Sequence, residues 1–500
     1  MRYGYIQPIL FITILLIVLV TMCIKCILQS KHFSGTNGGP QFGYSDDNYY
    51  EFDPPEPMML DSRNYVTAVY YSNWSPYSPR HHFPHDIDLE KVSHVYYAFF
   101  EIDPRTGHLN SSDEWSDFQI DTQTGTMQHP NSSVTIAEGP PGCVGELFRL
   151  KLKYGFKMIL SIGGWSNRRA FPEIVRNAEK FEMLVTSSVE TMFKYGFDGI
   201  DLDWEFPRDD GVEPFKYLQL TRDIRVRMDK LEEDIFGGRP ERRFQLSVAA
   251  PAFEEKLKIL PVKEMDHFLD YWNMMTYDYY GDWSAATGYH CNLYDGSARL
   301  NFTAQYKHSP TKHHSEPGLN GHAAISLMID KFGVNSTKLV LGMVAYGRGF
   351  TNVKLDKGDT IFVNKPFKGV GGGIDGEPGM WLYKQLPLNG TEEQFDPHYV
   401  AAFCYDPRTN TFIGYDNVQS VQIKARYIRN RKLAGGFWWE SCGEAYGDEK
   451  RSLLNAFAQE VGISKESLEI DTYEDQKVIS YYAKHFPEDK YLLPYLKAHR

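Results

Sequence analysis

Eight short β-rich runs recur along this chain, each parted from the next by a stretch long enough to hold a helix. They are YVTAVYYSNW (65–74), HVYYAFFEI (94–102), FKMILSIGGW (156–165), DGIDLDWEF (198–206), FQLSVAAPA (244–252), DYWNMMTYDYY (270–280), KLVLGMVAYGRGF (338–350) and AGGFWWES (434–441). Parallel strands need crossover connections and are buried on both faces, so apolar runs alternating with helix-length segments predict β/α units. Eight is the number of a TIM (β/α)8 barrel, and several runs carry polar or aromatic residues at their carboxyl ends, where the active sites of such barrels lie. One interval breaks the rhythm. Between the seventh and eighth runs lie far more residues than one crossover needs, and residues 351–410 contain glycine-rich and strand-like pieces. They are read as a small α+β domain inserted between strands 7 and 8.

The fourth run places Asp198, Asp201, Asp203 and Glu205 within eight positions of an otherwise apolar stretch. As a strand, its period of two puts Asp201, Asp203 and Glu205 on one face, pointing into the barrel. Buried carboxylates of like charge do not all stay ionised, so at least one proton is held at neutral pH. A held proton is what a general acid needs. Glu205 at the strand's mouth is within reach of substrate, with Asp203 and Asp201 behind it as a supporting relay. The competing reading is a hydrogen-bonded or metal-binding acidic cluster. No His or Cys stands at ligand spacing, and HHFPH (81–85) and KHH (312–314) read as loop histidines, so no metal is expected. GGGIDG (371–376) matches G-x-G-x-x-G formally but opens no helix after a buried strand, so no cofactor is expected either.

Residues 9–24 are uncharged and apolar and only Lys25 interrupts before Leu28. This exceeds a signal-peptide core of about 7–15 residues and approaches the roughly 20 needed to span a bilayer. With no convincing cleavage site after it, residues 1–28 are read as an uncleaved signal anchor, with secretion the alternative. Asn-x-Ser/Thr acceptors at Asn73, Asn110, Asn131, Asn301, Asn335 and Asn389 all follow it, as expected if that side enters the secretory lumen. In such a compartment Cys143, Cys291, Cys404 and Cys442 are expected to pair, in one of three ways, the alternative being four buried thiols. Residues 29–63, rich in Gly, Pro, Ser, Asp and Tyr, read as a stem. A net charge of −12 disfavours a polyphosphate partner, so nucleic acid is set aside. The 15% aromatic content exceeds what a core needs and suits a groove for sugars or peptides.

DGIDLDWE resembles the D-x-x-D-x-D-x-E signature of glycoside hydrolase family 18, the chitinases and their relatives. SIGGW (161–165), MTYDYYG (275–281), YGRGF (346–350) and GGFWWE (435–440) resemble that family's third-, sixth-, seventh- and eighth-strand motifs. The resemblance covers residues 64–462, includes the inserted domain, and looks closest to yeast and fungal chitinases without a Ser/Thr-rich stalk. The acidic, Tyr-rich residues 463–500 lie outside it as a C-terminal tail. One departure is Val344, where the family usually has Pro.

The resemblance implies that Glu205 protonates the glycosidic oxygen while the substrate's own N-acetyl carbonyl attacks the anomeric carbon, giving an oxazolinium ion and retention of configuration. Asp203 would orient the acetamide, Asp201 would share a proton with it, and Tyr277 would hydrogen-bond the attacking oxygen. Trp439 would floor the reacting sugar, with Trp438 in the core, and Met275, Asp278, Tyr346, Arg348, Trp165, Phe99 and Tyr70 would line the groove. The implied function is that of a monomeric endo-acting chitinase on β-1,4-linked N-acetylglucosamine, facing the wall of a fungus. The alternatives are an endo-β-N-acetylglucosaminidase acting on N-glycans and a non-catalytic chitin-binding lectin, the latter opposed by the presence of Glu205.

Overall fold

The computed structural model describes residues 65–127, 139–238, 243–296, 319–374, 377–463 and 471–498. The apolar segment 9–24, the stem and the acceptors Asn131 and Asn301 lie outside them. Among the described residues no helix is long and apolar enough to cross a membrane.

All eight expected runs form parallel strands: β1 (Val66–Ser72), β2 (His94–Ile102), β3 (Lys157–Gly163), β4 (Gly199–Asp203), β5 (Gln245–Pro251), β6 (Tyr271–Met275), β7 (Leu339–Val344) and β8 (Gly435–Trp439). Each pairs with its successor, and β8 returns to β1 with Val66 opposite Gly435, closing the barrel. Side-chain parity divides the core in two. Val66, Ala68 and Tyr70 of β1 join a lumenal cluster with Ala98, Ile159, Ala249 and Phe437, while Val69 and Tyr71 face the outer helices. On β4 the outward positions are Ile200 and Leu202, which leaves Asp201 and Asp203 on the lumenal parity, as the period of two requires.

The β7 strand ends sooner than its motif. Tyr346–Phe350 is a separate strand that pairs antiparallel with Met380–Leu382 and Thr411–Tyr415, in a five-stranded sheet that also takes Ala401–Asp406 and Gln394–Asp396. The inserted domain therefore begins at the YGRGF motif and runs to Tyr415, and its described helical content is one 3-10 turn, Tyr383–Gln385. Its exit is fixed by Asp416, buried and bound by Lys424 of the helix Val418–Arg431 at 2.7 Å.

Two expectations need correction. Cys143, Cys291, Cys404 and Cys442 are free, buried thiols. Cys143, for one, accepts the Tyr71 hydroxyl at 3.3 Å, and burial pushes its thiol up to about 12. The acidic residues after 462 are no loose tail. Gln476–His485 and Leu493–Ala498 are helical, and Tyr473, Val478, Ile479, Tyr482, Leu492, Leu493 and Leu496 are buried in the main core. That apolar set lies outside the barrel's strand–helix rhythm and was hidden for that reason.

The segment docks beneath β4. We label the helices there α1 (Gly142–Tyr154) and α2 (Ala178–Lys194). Lys151 of α1 holds both oxygens of Asp198 at 2.9 Å, lies 3.3 Å from Asp471 and sits 4.5 Å from the Tyr473 ring centroid. The Tyr473 hydroxyl donates to the carbonyls of Phe193 and Phe197, at 3.0 and 3.1 Å, where α2 gives way to β4. Lys151 and Asp198 are both fully buried, and removing one partner of such a pair costs about 3–5 kcal/mol. Urea unfolding of Lys151→Met is expected to show a loss of that size, partly recovered in the double variant with Asp198→Leu; an unchanged stability would contradict the assignment.

Candidate active site

Asp201 is the deepest carboxylate and the most fully satisfied. One oxygen accepts the hydroxyls of Tyr70 (2.9 Å) and Ser161 (2.8 Å), the other those of Ser247 (2.7 Å) and the Asn273 amide (3.2 Å). Burial raises its pKa, and these four donors pull against that rise. Ser161, Ser247 and Asn273 went unremarked in the sequence, yet each is a polar residue inside an apolar strand, on the parity of the lumen.

Asp203, one pleat higher, has no such support: its Oδ1 is buried without a hydrogen-bond partner. Burial, then the charges of Glu205 and Asp201, push its carboxyl well above the usual carboxylate range. Glu205, half-buried at the mouth, is raised to about 7 by burial and then by the charge of Asp278, against a lowering from Arg168. Asp203 and Glu205 are thus both pushed toward the protonated form, while Asp201 accepts four hydrogen bonds.

The strand before makes room for this. Gly163 has φ +113°, and a Cβ there would stand 2.3 Å from the carbonyl oxygen of Asp203; at Gly164 it would meet the Phe99 ring at 2.6 Å. The two glycines of SIGGW let β3 pass close to the acid and turn out to Trp165.

Around the acids the structure gathers the remaining predicted residues. Tyr70, Met275, Tyr277 and Tyr346 belong to the lumenal cluster, with Phe99 and Trp439 packed on it. Tyr277 is buried, with the charge of Asp203 acting on its hydroxyl more strongly than that of Asp278 or Glu205. Trp439 is half-buried and stacks on Phe99 (5.7 Å between centroids, 23°), while Trp438 beside it is buried against Phe457. Trp74, which sequence reasoning left out, extends this surface 6.2 Å from Trp439 and 6.1 Å from Phe99. Its signal was its place at the end of the first strand run.

Asp278, Tyr346 and Arg348 form one unit. The Arg348 guanidinium makes two bonds of 2.6 Å to the Asp278 carboxylate, and the Tyr346 hydroxyl donates to it at 2.5 Å. Burial raises the Asp278 carboxyl, but Arg348 and His290 outweigh that and hold it below the usual range. At the rim, Trp165 is 59% exposed, with the Arg168 guanidinium 3.7 Å above its ring. Among the described residues no group of three or more His, Cys, Asp or Glu is arranged to hold a metal ion. The arrangement offers a proton at Glu205, a polar relay behind it and an aromatic surface beside it suited to the apolar face of a sugar ring.

Comparisons with known proteins agree with this chemistry. The family model "Glycosyl hydrolases family 18" matches residues 66–444. Sporulation-specific chitinase 2 of Saccharomyces cerevisiae is 45% identical, covering 97% of this chain and 95% of its own. Endochitinase 1 of Metarhizium robertsii is 32% identical over 83% of this chain and 89% of its own. The solved structure of chitinase ChiA74 from Bacillus thuringiensis superposes with a TM-score of 0.66 at 25% identity, covering 82% of this chain and 71% of that one. With its barrel closed, its acid series in register and more than half its length matched, the chain belongs to glycosyl hydrolases family 18.

Proposed function

We propose that this protein is a chitinase that cleaves β-1,4-linked N-acetylglucosamine polymer internally, with Glu205 as the general acid. The observation that carries the reading is the single lumenal row of Asp201, Asp203 and Glu205, in which the two outer groups retain a proton that the mouth can deliver. Asp278, the other carboxylate at the mouth, is held by Arg348 and Tyr346 and is not free to attack a sugar carbon. The likeness to family 18 supports the substrate's acetamide oxygen as the nucleophile, positioned by Asp203 and Tyr277, with water opening the oxazolinium ion with retention. The names of the two fungal relatives favour chitin over N-glycans, and an intact Glu205 opposes a purely binding role.

The setting we infer is a monomeric wall-remodelling enzyme of the secretory pathway, held by residues 1–28 or released by their cleavage. The apolar segment 9–24 and the exposed acceptors Asn110, Asn335 and Asn389 support it. Asn73 is different: its amide is buried and donates to Asp117 at 3.0 Å and Ser112 at 2.8 Å.

Proton NMR of chitin hexamer cleavage tests the mechanism. Wild type is expected to release β-anomers first, and Glu205→Gln to bind the hexamer but cut it ~10²–10⁴-fold more slowly; α-anomers first, or a Gln variant of undiminished rate, would contradict it. The acid works only protonated, and its carboxyl is raised to about 7. Wild-type kcat/KM is therefore expected to be full below that pH and to fall about tenfold per unit above it. A limb near the ordinary glutamate range would count against a held proton.

A further inference from the structure

His290 lies between β6 and the short helix Gly321–Ser326, in a stretch with no regular structure of its own. Its backbone carbonyl accepts the amide of Tyr279 at 3.1 Å, which lays it alongside Asp278. Nearby, Thr287 exchanges backbone bonds with the inserted domain, giving its N–H to Lys365 (2.9 Å) and taking that of Asn364 (2.8 Å). The imidazole is fully buried, its Nδ1 3.4 Å from Asp278 Oδ1 and its ring centroid 4.9 Å from that of Tyr346. Neither ring nitrogen has a well-aligned hydrogen bond. Buried polar groups rarely give up water on such terms, so what this one touches calls for an account.

The charged and titratable groups facing it are few. Asp278 and Arg348 lie on one side, with the Tyr346 ring against it, and Asp416, itself held by Lys424, acts from the exit of the inserted domain. Burial lowers the pKa of His290, so the ring is neutral and can offer Asp278 one N–H without a second full charge. Asp278 is in turn a carboxylate whose charge raises the Glu205 carboxyl.

We propose that His290 is a positioning residue for the hydrolytic reaction: it backs Asp278 against Arg348 and Tyr346, and through that carboxylate it sets the field at Glu205. A neutral donor tempers the charge of Asp278 without cancelling it. Replaced by an apolar side chain, it leaves Asp278 less compensated, and the stronger field holds the proton on Glu205 to higher pH. This inference rests on Glu205 being the acid.

The experiment is the pH profile of kcat/KM on a chitin oligomer for wild type, Glu205→Gln, His290→Leu and His290→Gln, with thermal melting of each. His290→Leu is expected to move the alkaline limb up by about 0.5 pH units, a roughly threefold gain at the alkaline end relative to its own plateau. His290→Gln, which keeps a neutral donor, is expected to return the limb to its wild-type position. A proportional loss at every pH, with the limb unmoved in both variants, would reduce His290 to a packing residue and overturn the proposal. A limb that moves equally in both would overturn it too, since the donor would then be irrelevant. Should His290→Leu melt too low to assay, a limb displaced in His290→Met and restored in His290→Gln supports the proposal, and one unmoved in both overturns it. If Glu205→Gln keeps wild-type activity, the acid assignment itself has failed, whichever way the His290 variants behave.

Discussion

Two carboxylates on one face of a buried strand and a third just past its end lose hydration and repel one another, and the rest of this barrel is arranged around that strain. Each is relieved differently. Asp201 is wrapped by four donors from β1, β3, β5 and β6, so four strands of the lumen contribute to holding it. Asp203 has no comparable set, and burial with its neighbours' charge pushes its carboxyl well above the usual range. Glu205, nearest to solvent, is left intermediate and therefore able to give its proton up. A gradient of solvation along a single strand thus becomes a gradient of proton affinity that ends at the mouth.

Such a strand needs holding at both ends. Below, Asp198 is neutralised by Lys151, and the C-terminal residues 471–498 cover the pair through Asp471 and Tyr473. Above, Asp278 supplies a negative charge near the acid while Arg348, Tyr346 and His290 keep that charge in place. Arg348 and Tyr346 come from the first strand of the inserted domain, so this domain supplies the groups that hold Asp278.

Much of this was legible in the sequence, and what was not has physical reasons. Strands and their order showed in the β-rich runs because parallel strands buried on both faces leave a continuous apolar trace. The carboxylate row showed because acids stand out in an apolar trace, where burial makes them costly. The four donors to Asp201 were only half visible: parity puts Ser161, Ser247 and Asn273 in the lumen, but nothing local says that they converge on one group. His290 gave no signal, since an irregular segment carries no period from which to place a side chain. The boundary at Tyr346 was hidden because one strand follows another across Ala345 without turn residues between them. The C-terminal segment was hidden because it lies outside the barrel's strand–helix rhythm, which gives no place for Tyr473, Tyr482 and Leu492 to be buried.

The central claim is that the Asp203–Glu205 pair retains a proton at neutral pH in the free enzyme. Carboxyl infrared difference spectra of wild type against Asp203→Asn/Glu205→Gln, recorded from about pH 4 to 9, measure this directly. A carboxylic-acid band present in wild type at pH 6, absent from the double variant and fading as the pH passes about 7, is the predicted result. Coincident spectra at pH 6, with both groups already ionised, would contradict it.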